Sequence, residues 1–277
     1  LHITNACEFH CPFCHASDIH IKGNKCFFDT NKILSIIDII GKTTIKNLSL
    51  VGGNPVLHPD IAKIIKHVKN TTDLNLILMT NTGDFTHNSL NDCYSFVDVL
   101  MVTLHSDCES EHDRITNRDG AYRELIGFLL DYQFFNPSGK IKIAMNITPY
   151  AYDKLYSAIK KLIEKGINVD EVELQRIAPV SQDRMNEEFL VNAKQANIAL
   201  SQAKKIRDEL KVKVCLVDPF PLCFVDDDNR EIVVPCKCGK TDININGEGD
   251  VSRCGADPNY QLGNIFECSI EEIWKNL

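Results

Sequence analysis

The chain has 277 residues, long for one ordinary domain and about right for an α/β barrel with a small appendage. Its 30 basic and 38 acidic residues leave a formal charge of −8 with no block of Lys or Arg, so nucleic acid and anionic membranes are poor partners. Hydrophobic residues make up 44%, enough for a large core, and the most apolar runs (33–40 and 74–79) are too short or too interrupted to span a bilayer.

Strand-like and helix-like segments alternate from the first residue. The stretch 1–6 reads as a strand leading into a cysteine loop, and 30–40 carries helical periodicity with apolar residues at 33, 36, 37 and 40. A strand over 47–51 runs into glycines, and a helix follows over 58–70 with Pro59 near its start. Next come a strand at 74–80, a weak helix around 87–95, a strand at 97–105 and a helix at 120–133. The order continues with a strand at 140–148, a helix at 152–165 ending at Gly166, a strand at 169–177 and a long helix from about 187 to 210. Six βα units with near-continuous apolar strands predict a parallel sheet covered by helices. Right-handed crossovers allow either a doubly wound sheet or a curved, partial barrel, and periodicity does not separate the two. In both, the working residues belong at the carboxyl ends of the strands.

The 12 cysteines gather toward the two ends of the chain. A secreted disulfide protein of this richness is usually small, and no signal peptide is visible, so metal ligation in a reducing cytoplasm fits better. The chain opens on Leu1 rather than Met, from which we expect a trimmed piece of something longer.

At the amino end Cys7, Cys11 and Cys14 follow the spacing C-x3-C-x2-C in CEFHCPFC. Three thiolates so placed can converge on one inorganic cluster, and no fourth cysteine follows until Cys26. A four-iron cluster held by three thiolates keeps one iron open, which marks a catalytic rather than a structural metal site. The alternative is zinc, held by the C-x2-C pair with His10 or His15 beside it. The spacing, with Phe13 before the last cysteine, resembles the signature of the radical S-adenosylmethionine (SAM) superfamily. That resemblance implies a (β/α)6 partial TIM barrel. It also implies a 4Fe–4S cluster whose open iron chelates SAM, and reductive cleavage of SAM to a 5′-deoxyadenosyl radical that abstracts hydrogen from substrate.

Gly52-Gly53-Asn54-Pro55, after the second strand, resembles the family's GGEP motif, which binds the amino group of SAM. The glycines let backbone approach a ligand, and Asn54 stands where the family has an acid, so an amide oxygen would accept without charge assistance. Read without the resemblance, the same stretch is a plain Gly-Pro turn. Asn81 and Thr103 fall where the family contacts the SAM carboxylate and ribose; the bland readings are an Asx turn and a cross-strand hydroxyl. The stretch 105–122 resembles the SLDG…HD segment of peptide-modifying members, with His105-Ser106 in place of Asp-Gly. We expect His112-Asp113 to make a helix-start or loop hydrogen bond rather than a catalytic pair, and no catalytic acid or base is assigned.

A second cysteine field comprises Cys215, Cys223, Cys236, Cys238 and Cys254, with Cys268 beyond. Between Cys238 and Cys254 the sequence alternates as a hairpin, whose closure brings the two thiols together. The spacing C-x10-G-x4-C through Gly249, with the closing segment 262–274, resembles the SPASM and twitch domains that hold auxiliary clusters in enzymes modifying ribosomal peptides. The later cysteine run of a full SPASM domain is missing, which favours one auxiliary 4Fe–4S cluster. On the resemblance Cys238 and Cys254 are ligands, Cys236 and Cys223 are chosen to complete the set, and Cys215 and Cys268 are spares; a four-cysteine zinc knuckle is the alternative. Cys93 reads as a buried small hydrophobe, and Cys26 and Cys108 as loop residues near the barrel mouth.

The expectation is a partial barrel over 1–211 followed by a cysteine-rich hairpin and helix module over 212–277. The resemblance implies a cytoplasmic radical SAM enzyme that matures a precursor peptide by crosslink, thioether, epimerisation or excision. It would draw electrons from a reductant such as flavodoxin or ferredoxin, with a separate peptide-recognition domain if one is needed. The rival classes are a radical SAM enzyme on a small metabolite and a non-catalytic iron–sulfur or zinc protein.

Overall fold

A computed structural model describes residues 1–14, 27–81, 91–177, 187–218, 220–255, 260–275 and 277. The readings made above for His15, Cys26 and the start of the 87–95 helix lie outside these. The larger sheet has seven strands: β1 (His2–Thr4), β2 (Asn47–Gly52), β3 (Asn75–Thr80), β4 (Val99–Thr103), β5 (Lys140–Ile147), β6 (Glu171–Arg176) and β7 (Lys213–Leu216). They lie in strictly sequential order, and every neighbouring pair is parallel. A doubly wound sheet needs a reversal of strand order to place helices on both faces. With no reversal, right-handed crossovers put the helices on one face and leave the other as the barrel interior. The sheet ends at β1 and β7, so the barrel is partial.

Helices α1 (Thr30–Ile40), α2 (Ile61–Thr71), α3 (Glu109–Thr116), α4 (Ala121–Phe135), α5 (Leu155–Glu164) and α6 (Ala193–Glu209) connect the strands. Each long one turns an apolar stripe inward, as with Ile33, Ile36, Ile37 and Ile40 of α1. These meet Leu50, Leu76, Leu78, Leu100 and Val102 from the outward face of the strands in one continuous core.

Two differences from the sequence reading concern short elements. A seventh strand carries the sheet to Leu216, past the boundary expected at 211. Its four residues KVCL are too few to announce a period, and pairing with β6 makes them a strand. Helix α3, where the sequence reading assigns no element, is eight residues long and strongly polar, and its Asn117 cap adopts the left-handed conformation.

Beyond β7 lies a small antiparallel sheet of β8 (Asn244–Ile245), β9 (Asp250–Ser252) and β10 (Gln261–Asn264), closed by helix α7 (Ile270–Trp274) with a Ser269–Glu272 capping box. Gly249 turns this hairpin at φ +88°, and a Cβ there would lie 2.6 Å from the Phe266 ring. The tip folds back on the open edge of the barrel. Asn246 bridges to His2 of β1, Gly247 packs on Phe28, and Glu248 pairs with Lys32 of α1. No helix among the described residues is long and apolar enough to cross a membrane.

Candidate active site

A cavity of about 440 Å³ opens at the carboxyl ends of the strands. Cys7, Cys11 and Cys14 enter it from the loop after β1, Gly52 and Gly53 from β2, Asn81 from β3, and Thr103 and His105 from β4. Asn146, Arg176 and Asp218 line the far side, and the carboxy-terminal module contributes Asn244 of β8 and Gly255 after β9.

The cysteine loop is held by backbone bonds to three neighbours. Gly53 N–H donates to Thr4 O, Asn54 N–H to Ala6 O and His10 N–H to Thr116 O, while Cys14 N–H closes a turn onto Cys11 O at 3.1 Å. Gly52 is needed for close approach, since a Cβ would stand 2.5 Å from the Thr4 carbonyl oxygen. The constraint is thus backbone against backbone, besides whatever a ligand requires.

Beyond the effect of burial, Cys14 raises the pKa of both Cys7 and Cys11, and Cys7 raises that of Cys11. Burial pushes Cys7 up to about 11, with Glu8 and Cys14 adding to it and an Asn81 hydrogen bond opposing. Cys11 is pushed up further, by burial first and then by Cys14 and Cys7. Thiols that resist ionisation alone become good ligands when a cationic centre supplies the missing charge. Among the described residues no three His, Cys, Asp or Glu side chains close to single-ion distances. A lone zinc would draw its sulfurs to about 2.3 Å, whereas a cubane spreads three thiolates over its corners. Three thiols lining one cavity supply the all-sulfur donor set that an iron–sulfur cluster takes at three of its corners.

Asn54 does not face the cavity. It is fully buried; its Oδ1 accepts from the Thr80 hydroxyl at 2.6 Å and its Nδ2 donates to Glu8 Oε1 at 2.8 Å. Pro55, also buried, begins a short 3-10 turn behind the glycines. Glu8 carries on to Arg118, which pairs with Glu124 at 2.9 Å. Glu8 sits between Cys7 and Phe9, and pairing signals did not reveal it; a carboxylate inside a metal-binding loop was the available clue. Burial, the leading influence, raises its pKa.

His105 is buried, and its pKa is lowered to about 3 by burial and then by His112. His112, whose Nδ1 accepts the His105 backbone N–H, is lowered to about 4 by burial. Asp113 accepts from the backbone of Gly120 and Tyr122 at 2.7 and 2.8 Å and so fixes the start of α4. That is the loop hydrogen bond expected from the sequence.

At the other end Cys238 hydrogen-bonds to both Cys254 and Cys236, and burial, followed by Cys254, pushes it up to about 12. Cys223 lies exposed on an open groove against α6. Cys215 points into the barrel and donates to Glu171 at 3.2 Å, within a network that joins Lys142, Glu173 and Lys213. Cys268 bonds the Asn264 carbonyl oxygen at 3.6 Å. Cys93 is buried and Cys108 is exposed beside Ser110.

A one-way parallel partial barrel with three facing thiols at its mouth is the architecture of a cluster-dependent radical enzyme. The chain belongs to the radical SAM superfamily, whose signature matches residues 1–175. An iron–sulfur cluster-binding SPASM domain matches residues 236–277. The cofactors of this family are 4Fe–4S clusters and SAM. Among solved structures, Streptococcus suis SuiB bound to S-adenosylmethionine superposes with a TM-score of 0.76 at 13% identity, over 99% of this chain and 64% of SuiB. The same protein has been solved with its precursor peptide SuiA. Native anSMEcpe with bound AdoMet and Kp18Cys peptide gives 0.69 at 12% identity, over 99% of this chain and 78% of that one. Among curated proteins, a GTP 3′,8-cyclase of Clostridium perfringens is 22% identical over 256 residues, 84% of this chain and 76% of its own. Another such cyclase, of Tolumonas auensis, aligns over a quarter of its own length.

Proposed function

We propose that this chain cleaves SAM reductively and uses the resulting 5′-deoxyadenosyl radical to abstract hydrogen from a ribosomally made peptide, in the cytoplasm. Cys7, Cys11 and Cys14 hold the catalytic cluster. Gly52, Gly53, Asn81 and Thr103 line the SAM position, while Asn54 and Pro55 hold the glycines from behind. Asn81 has a double part, since its side chain also bonds the Cys7 thiol. Cys236, Cys238 and Cys254, with Cys223 as the candidate fourth, hold one auxiliary cluster. The barrel walls keep water from the radical. Flavodoxin or ferredoxin supplies the electron, and a peptide-recognition domain, where required, comes from another segment or partner. The division we favour is a barrel through β7 and a cluster module after it.

One observation carries the peptide reading: the carboxy-terminal module overhangs the cavity, placing Asn244 and Gly255 in its wall. An extended chain entering there meets amides and Asp218 as well as Arg176. SuiB and anSMEcpe, which share the fold, have been solved with peptides.

The GTP cyclase matches favour a second reading, a nucleotide substrate. Arg176 is the Arg or Lys among the described lining residues, and it faces Asp218. A triphosphate would need several cations there. The deciding experiment incubates reduced, reconstituted protein and SAM with a candidate precursor peptide or with GTP. 5′-Deoxyadenosine together with a peptide mass shift supports the first reading. A cyclised nucleotide supports the second, and zinc without sulfide or 5′-deoxyadenosine would sink both.

A further inference from the structure

We infer that His105 tunes the reduction potential of the amino-terminal cluster by donating a hydrogen bond from its Nε2–H to the sulfur of Cys11. The inference rests on the ligand assignment proposed above. His105 lies two residues beyond β4, and its Nε2 stands 3.9 Å from Cys11 Sγ. Its other ring nitrogen, Nδ1, is buried with no hydrogen-bond partner among the described residues. A neutral imidazole carries one ring proton, donating from one nitrogen and accepting at the other. With a sulfur acceptor at Nε2 and none at Nδ1, the proton belongs on Nε2.

The ring is also held in place. Phe13 meets it edge-on at 5.5 Å between centroids, and His112 packs against it at 5.3 Å. Its backbone N–H is tied to His112 Nδ1 at 3.2 Å, and Tyr122 meets the far side of His112 at 5.7 Å. The stack places a single donor at one of the three thiolates. A hydrogen bond to a cluster sulfur withdraws electron density and favours the reduced, more negative cluster, so the potential rises. His105 acts through Cys11 and is a positioning residue.

The test is an EPR-monitored redox titration of the reconstituted full chain, following the cluster signal that SAM perturbs. The His105→Phe protein should show a more negative midpoint than wild type. His105→Gln, which keeps an N–H at similar reach, should return most of the difference, and the auxiliary signal should stay put in both. An unchanged midpoint in His105→Phe, or a Gln variant no nearer wild type than Phe, overturns the inference. Should His105→Phe fail to assemble its cluster, 15N-histidine labelling of the wild type decides. A nitrogen coupling to the reduced cluster that His105→Gln removes supports the bond, and its absence overturns it. Wild type lacking iron and sulfide would sink the ligand assignment, and the inference with it.

Discussion

The two cysteine fields sit in opposite physical settings. The amino-terminal thiols project from a loop pinned between β1, β2 and α3, above a core that runs the length of a seven-stranded sheet. The carboxy-terminal thiols Cys236, Cys238 and Cys254 flank strands of two to four residues, beside a small apolar set of Ile245, Val251, Ile265, Ile270 and Ile273. We expect the first scaffold to fold without its cluster, because a large core stands behind the loop. In the second we expect metal-binding energy to be a large part of the folding energy, because so few buried side chains stand behind it. The same ligand chemistry thus stands on two unequal scaffolds, one backed by a large core and one by a small apolar set.

The most severe way to break this contrast is to remove each field. Triple replacement of Cys7, Cys11 and Cys14 by Ala should abolish 5′-deoxyadenosine formation and roughly halve an iron content of about eight per chain. Its thermal midpoint should barely move. Cys238→Ala or Cys254→Ala should stop peptide product while sparing some uncoupled SAM cleavage, and should expose the 236–254 hairpin to protease. A triple variant that melts as readily as Cys238→Ala would erase the distinction.

A smaller effect is expected where the SAM loop meets the cysteine loop. Asn54→Glu would restore the family's acid in sequence, yet it sets a second carboxylate beside Glu8 and removes the donor that satisfies it. We expect stability to fall by about 1–3 kcal/mol and SAM to bind several-fold more weakly. Denaturant titration and equilibrium dialysis check this, and tighter SAM binding would show that the amide is a simple loss. Thr80→Val, which strips the Asn54 oxygen of its donor, should cost about 1 kcal/mol by the same titration.

The mildest test concerns the charged floor of the barrel. Burial opposes ionisation of Glu171 and is the largest single influence, but hydrogen bonds from Lys213, Lys142 and Cys215 together hold its pKa down to about 2. A carboxyl depressed in the folded state adds stability that is complete above its ordinary value of 4.5 and is lost as pH falls through about 2. Glu171→Gln should flatten the acid limb of the stability curve between those values. A limb of unchanged slope would assign acid sensitivity elsewhere.

Much of the frame was legible in the sequence because it is local or periodic. The helix at 30–40, the strand from Asn47 and the hairpin around Gly249 each carry their own signal in apolar spacing or turn chemistry. Strand β7 and helix α3 were missed for the converse reason. A four-residue strand shows no period, and a polar helix shows no apolar stripe, so neighbours decide both. The partners of Asn54 were illegible as well. Glu8 and Thr80 are 46 and 26 residues away along the chain, and only strand order brings them to it.

By itself, then, the sequence determined the class of chemistry, since C-x3-C-x2-C and C-x10-G-x4-C are short-range spacings that a loop or hairpin reproduces wherever it stands. It also determined a parallel α/β architecture, because repeated apolar strands need helices to cover them, whereas strand order made it a partial barrel. The tertiary structure decided which groups face one another. It tied Asn54 to Glu8 and Thr80, set Cys215 in the barrel floor, and brought His105 to Cys11 across 94 residues of chain. Those pairings depend on strand register and barrel closure, which are properties of the packed sheet that no local spacing encodes.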